Sequence, residues 1–103
     1  MKNYNKKEYN HLSKRWEYKL HGKIHRVDGP AIISQLGEMW MINGIFHRLC
    51  GPAIISGDYK AYYIDGVRLE FDDWNNHIKV VEKRINDDFL FLENNDQSRK
   101  EKS

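Results

Sequence analysis

Residues 22 to 33 read GKIHRVDGPAII, and residues 44 to 55 read GIFHRLCGPAII. Laid one over the other, they share Gly22/Gly44, His25/His47, Arg26/Arg48, Gly29/Gly51, Pro30/Pro52 and the Ala-Ile-Ile that follows. Ile24/Phe46 and Val27/Leu49 keep an apolar side chain at matching places. A fixed period of 22 residues marks one supersecondary unit copied and stacked, each copy burying its apolar face against the next. Stacks of this kind present extended binding surfaces, so the repeat speaks more clearly for architecture than for chemistry.

The period reaches beyond the two best copies. Tyr18, Trp40 and Tyr62 precede the glycines in register, and His21-Gly22, Asn43-Gly44 and Asp65-Gly66 form three matching dipeptides. After Gly66 the third copy decays, with Asp73-Trp74 where Gly-Pro stood. Terminal repeats are atypical because they cap the stack. The reading is two full copies and a half copy, a hairpin-repeat sheet over residues 14–70.

Asn-Gly and Asp-Gly are strong hairpin signals, because a type I′ turn requires positive φ at both central positions. Trp16, Tyr18 and Leu20 alternate with Glu17 and Lys19, the period of a half-buried strand. Met39 to Ile42 and Tyr59 to Ile64 follow the same plan. Pro30 and Pro52 lack an N–H and so belong at a strand start or a bulge. Ser34 to Gly37 and Ser56 to Asp58 are the turns between units. The predicted fold class is mainly β (α+β): an open antiparallel sheet of consecutive hairpins with a C-terminal amphipathic helix.

That helix starts at Phe71. Phe71, Trp74, Ile78, Val81, Ile85, Phe89 and Leu92 recur at helical spacing, giving a cap over 71–93. Asp72 and Asp73 suit its first turn, and Asn86-Asp87-Asp88 is the expected interruption. The apolar stripe is expected to lie on the sheet as a lid or, at Phe89–Leu92, to be a partner or dimer surface. Residues 1–13 read as a flexible basic N-terminus and 94–103 as a disordered tail, around a single domain.

The chain of 103 residues carries a formal net charge of +2. Its distribution is uneven: residues 1–26 have a net charge of +6 and residues 27–75 a net charge of −4. A basic end permits an anionic partner without demanding one. Cys50 is the single cysteine, which excludes an intrachain disulfide and fits a reducing compartment. No apolar run reaches the length of a membrane span, and the N-terminus has no apolar core of a signal peptide. A cytoplasmic protein is expected, with no membrane partner.

The order aromatic, Asn/Asp-Gly, two residues, His-Arg, then Gly-Pro-Ala resembles the MORN-like repeat W-Y-x-N-G-x-x-H-R-x-D-G-P-A, common in bacteriophages. The first copy matches at Tyr18, Gly22, His25, Arg26, Asp28, Gly29, Pro30 and Ala31. The second matches at Trp40, Asn43, Gly44, His47, Arg48, Gly51, Pro52 and Ala53, with Cys50 in place of the aspartate. The third keeps Tyr62, Asp65 and Gly66. The resemblance implies a hairpin array serving as an interaction module, of viral origin, that acts on a host protein. It supplies no catalytic residues and no cofactor.

Catalysis has little support in the residues themselves. Cys50 has no base near it except the repeat histidine His47. His25, His47 and Cys50 lack the paired spacing of a metal site. His25-Arg26 and His47-Arg48 could meet phosphates or carboxylates. Alternatively they hold the hairpins together, Arg26 pairing with Asp28 and His25 stacking over His47, which leaves Arg48 the freer guanidinium. Tyr18, Trp40 and Tyr62 are expected to form one ladder, and Trp16 stands outside it.

The leading expectation is a non-enzymatic inhibitor of a host protein, its partner-binding residues Trp16, Arg26, Arg48, Phe89 and Leu92. One alternative is a nucleic-acid or nucleotide binder using Lys14, Arg15, Lys19 and Arg26. The other is an oligomeric scaffold, paired through the helix or a sheet edge.

Overall fold

In the computed structural model, which describes residues 3–89, the chain is an open antiparallel sheet followed by two short helices. The strands are β1 (Lys6–Asn10), β2 (Arg15–Leu20), β3 (Lys23–Ile24), β4 (Ile32–Ser34), β5 (Gly37–Met39), β6 (Met41–Ile42), β7 (Ile45–Phe46), β8 (Ile54–Ser56), β9 (Tyr59–Ile64) and β10 (Val67–Leu69). The main sheet runs β1-β2-β4-β5-β8-β9-β10, with β3 also on β2 and with β6–β7 as a separate ribbon. The hairpins β2–β3, β6–β7 and β9–β10 each close on the expected dipeptide. His21, Asn43 and Asp65 have φ of 51°, 49° and 51°, and Gly22, Gly44 and Gly66 have φ of 82°, 82° and 83°. Positive φ at both places is the I′ geometry that matches strand twist.

Gly-Pro-Ala makes a bulge. Ala31 donates its N–H to Met39 O although Met39 already pairs with Ile32, and Ala53 donates to Ala61 O although Ala61 pairs with Ile54. Two residues then oppose one, and the strand bends. Proline fits the position just before because no ladder bond is asked of its nitrogen. Ala31, Ala53 and Ala61 are fully buried.

Residues 6–10 correct the expectation of a loose N-terminus, because they form the edge strand β1 along β2. Charge pairs join the two strands where apolar alternation is absent. Glu8 takes Lys19 at 2.7 Å and Lys6 at 3.1 Å, and both lysines hold its carboxyl below the usual range, Lys19 foremost. The side chain of Asn10 closes the turn by accepting the N–H of Leu12 and of Ser13.

The first helix, α1, spans Phe71–Asn75 and a second, α2, spans 78–89. The break therefore falls at Asn76-His77, not at Asn86. Asn76 ends α1 by donating its amide to Asp72 O, from backbone and side chain alike. Only the start of the apolar stripe lies on the sheet. Trp74 and Val80 are buried with Ile64, whereas Phe71, Ile78, Ile85 and Phe89 are exposed. Leu92 lies outside the described residues. Among these no helix is long and apolar enough to cross a membrane.

Candidate functional site

The repeat residues meet at the joints between hairpins, and each joint is built twice at the same offsets. His25 Nδ1 accepts the Asn43 N–H at 3.0 Å, and His47 Nδ1 accepts the Asp65 N–H at 2.9 Å. Gly44 N–H donates to Ile24 O, and Gly66 N–H donates to Phe46 O, both at 2.8 Å. Arg26 N–H meets Met41 O, and Arg48 N–H meets Tyr63 O. Each histidine thus holds the tip of the next hairpin, where a turn amide would otherwise lack a partner. The expected stacking of His25 over His47 is replaced by this forward bond.

The arginines sit one step inward. The Arg26 guanidinium lies 4.1 Å from the Tyr18 ring centre, and that of Arg48 lies 3.7 Å from the Trp40 ring centre. Arg26 Nη1 donates to Pro30 O, and Arg48 Nη1 donates to Pro52 O. Arg26 also pairs with Asp28 at 3.0 Å. Glycine at 29 and 51 makes room for this, since any side chain there would crowd the guanidinium. A Cβ on Gly29 would stand 2.8 Å from Arg26 Cζ, and one on Gly51 would stand 3.1 Å from Arg48 Cζ. Burial depresses the Arg48 pKa from its ordinary value, but an arginine remains charged.

The ring ladder is thereby corrected. Tyr18 donates its N–H to Ala31 O, and Trp40 donates to Ala53 O, so an alanine strand separates each aromatic from the next. Two strand steps are about 9.6 Å, too far for ring contact. The guanidinium covers the ring instead. In the decayed third copy, Trp74 takes over this place. It lies 4.9 Å from Tyr62 and donates Nε1–H to Arg48 O at 3.0 Å.

Arg26 and Arg48 are thus each engaged within the repeat, stacked on a ring and bonded to a proline carbonyl. The nucleic-acid set also divides. Arg15 and Lys19 flank the nearly buried Glu17, with Arg15 at 2.7 Å and Lys19 at 3.6 Å. Strand alternation puts both on the face opposite Trp16. His25, His47 and Cys50 do not converge, and among the described residues no three His, Cys, Asp or Glu side chains are placed to hold a metal ion.

One exposed cluster of large side chains lies at the N-terminal end. Pairing sets Tyr9, Trp16, Ile33, Glu38, Ile55 and Lys60 side by side in one row across six strands. At its head Trp16 is 42% exposed and Tyr9 38%, with ring centres 5.3 Å apart. The Lys7 ammonium stands 5.0 Å from the Trp16 ring. With Lys14, Leu36 and the β4–β5 turn these rings line a groove of 560 Å³. Leu36 is 80% exposed. Of the expected partner residues, Trp16 alone is in this groove, and Phe89 is at the other end of the molecule on α2. Tyr9 and Leu36 went unnoticed in the sequence. Tyr9 could have been found by treating 6–10 as a strand paired with Trp16.

No protein-family model, curated protein or solved structure matches the chain.

Proposed function

We propose that this is a non-enzymatic binding protein of the MORN-like repeat class, which docks a protein partner on the groove around Trp16, Tyr9 and Leu36. The observation that carries the reading is this exposed aromatic and aliphatic cluster, which the repeat does not need. Partly exposed tryptophan and tyrosine in a shallow apolar recess are the residues that anchor protein interfaces. The resemblance to phage repeat proteins extends the reading to inhibition of a host protein in the host cytoplasm.

The test is affinity capture from a bacterial host, with and without nuclease, comparing the native chain with Trp16→Ala and with Leu36→Ala. A discrete protein retained after nuclease and lost in both variants supports the reading. A nuclease-sensitive ligand supports the nucleic-acid alternative, for which Lys7 and Lys14 beside two aromatic rings give a stacking platform. In that case affinity falls steeply with salt, because phosphate contacts release counterions.

A further inference from the structure

We propose that β1 is a docking edge, on which an extended acidic segment of a partner protein pairs as an added strand and sets an apolar side chain in the groove at Trp16. The inference rests on the reading of that groove as a protein-docking site, and it names the form and charge of what docks. β1 ends the main sheet, so its outer edge is open. Strand register tells which backbone groups lie there. Tyr18 donates its N–H to Ala31 O, and its carbonyl accepts the His25 N–H, so both groups turn away from β1. Lys7 stands opposite Tyr18 and therefore belongs to a non-hydrogen-bonded pair, with its own N–H and C=O on the outer edge. Tyr9, two places on and opposite Trp16, is placed likewise. Two donors and two acceptors at strand spacing form a template for another chain.

Charge and side-chain direction select the occupant. Alternation along β1 puts the side chains of Lys7 and Tyr9 on the Trp16 face. There the Lys7 ammonium lies over the Trp16 and Tyr18 rings, at 5.0 and 5.4 Å. Lys14 lines the groove with Tyr9 and is the one charged side chain among the described residues that line it. On the opposite face Lys6, Arg15 and Lys19 balance Glu8 and Glu17. Among the described residues neither Lys7 nor Lys14 pairs with a carboxylate. Two unmatched cations thus stand beside an apolar recess. A strand laid along β1 alternates its side chains as β1 does. The segment that fits carries a large apolar residue for the groove, with Asp or Glu two places before and after it to meet Lys7 and Lys14. A nucleic acid could meet the cations and the rings, but it has no peptide N–H and C=O groups to pair with the open edge.

The experiment titrates the full chain with the capped nonapeptide Gly-Ser-Glu-Val-Leu-Val-Glu-Ser-Gly and then follows amide hydrogen exchange. The expected result is saturation between about 1 µM and about 1 mM peptide. The Lys7 and Tyr9 amides should gain protection, because each then donates to the added strand. Lysine in place of both glutamates of the peptide is expected to weaken binding by about tenfold or more, and Lys7→Glu in the protein likewise. Lys60→Glu, five strand spacings or about 24 Å from Tyr9, is expected to leave binding unchanged. A peptide that binds without protecting the two amides sits in the groove but not on the edge; that result overturns the proposal and leaves the groove reading standing. The groove reading itself fails if the partner captured from the host is retained by Trp16→Ala and Leu36→Ala. No binding, or binding indifferent to the glutamate exchange, would overturn the proposal. So would a doubled mass with both amides protected before peptide is added, which puts a second copy on the edge, or tighter binding of decathymidylate at about 0.15 M salt. If Lys7→Glu disturbs the fold, the peptide exchange and the amide protection, both measured on the native chain, decide.

Discussion

His47 Nδ1 accepts the backbone N–H of Asp65 at 2.9 Å, so a side chain of one hairpin supplies the bond that the tip of the next one lacks. His25 does the same for Asn43. The Asp65 carboxylate lies 3.3 Å from the same nitrogen, but that nitrogen cannot accept the amide and carry a proton toward the carboxylate at once. The amide bond requires the imidazole to be unprotonated at Nδ1.

Removing either histidine should therefore leave a turn amide without its acceptor. His25→Ala is expected to destabilise the fold by about 1–3 kcal/mol, the cost of an unmet hydrogen-bonding group. Urea unfolding should show the loss as a lower midpoint at unchanged slope. An unchanged midpoint would mean that solvent satisfies the tip.

Stability should fall on acidification in two separate stages. Burial, the chief influence, lowers the His47 pKa from 6.5, against the opposing pull of Asp65. The unfolded chain then binds the proton first, so this contribution is complete above 6.5 and declines as pH drops below it. Asp65, lowered foremost by its bond to Lys79, and Asp28, lowered by Asn3 and Arg26, start from 3.8. Their contribution holds above that value and is lost below it. Melting temperature against pH should show both declines, and His47→Asn should remove the first while weakening the second only slightly.

Gly29→Ala should displace Arg26 from Tyr18, at a cost of about 1–2 kcal/mol, with a smaller cost for Gly51→Ala. The cause can be isolated. In an Arg26→Ala background the same substitution should be neutral or stabilising, because alanine restricts the unfolded chain. A double-mutant cycle measures this coupling. Additive costs would show that the glycine serves some purpose other than making room for the guanidinium.

Gly37 should be the least replaceable glycine. It has φ of 152°, and a Cβ there would stand 1.9 Å from the backbone O of Ile55 in the next unit. Backbone cannot step aside as an arginine tip can, so Gly37→Ala is expected to cost more than Gly29→Ala, on the order of 3 kcal/mol. Equal midpoints for the two variants would contradict this.

Trp74→Phe should lose the bond to Arg48 O while keeping most of the packing on Tyr62, a cost of about 1–2 kcal/mol. Trp74→Ala should cost about 3–5 kcal/mol, since the ring closes the last hairpin. Both are read from thermal unfolding. Similar costs for the two would show that the indole N–H, rather than the ring, carries the effect.

The hairpins were legible because Asn-Gly, Asp-Gly and Gly-Pro-Ala each impose a backbone geometry that few other residues allow. The pairing of Arg26 with Asp28 was legible for the same local reason. The inter-hairpin roles of His25 and His47 were not, because a bond spanning 18 residues leaves no periodic signature beyond the repeat itself. β1 escaped notice because its pairing rests on Lys6, Glu8 and Lys19 rather than on apolar alternation. The helical period is legible, and its two readings, lid and exposed surface, divide along the stripe: Trp74 is buried with Ile64, whereas Ile78, Ile85 and Phe89 are exposed. Periodicity locates an apolar face, but what that face meets is decided by tertiary packing, and here Val80 took the inner place. The groove combines Tyr9, Trp16 and Leu36 from three segments, and only strand register brings them together.

The most direct test of the account is the tautomer of His25 and His47, read from long-range correlations between imidazole nitrogens and ring protons near neutral pH. If the repeat histidines hold successive hairpins together, both rings carry their proton on Nε2 and present a bare Nδ1. A proton on Nδ1 of either ring, or rapid exchange between the tautomers, would contradict it.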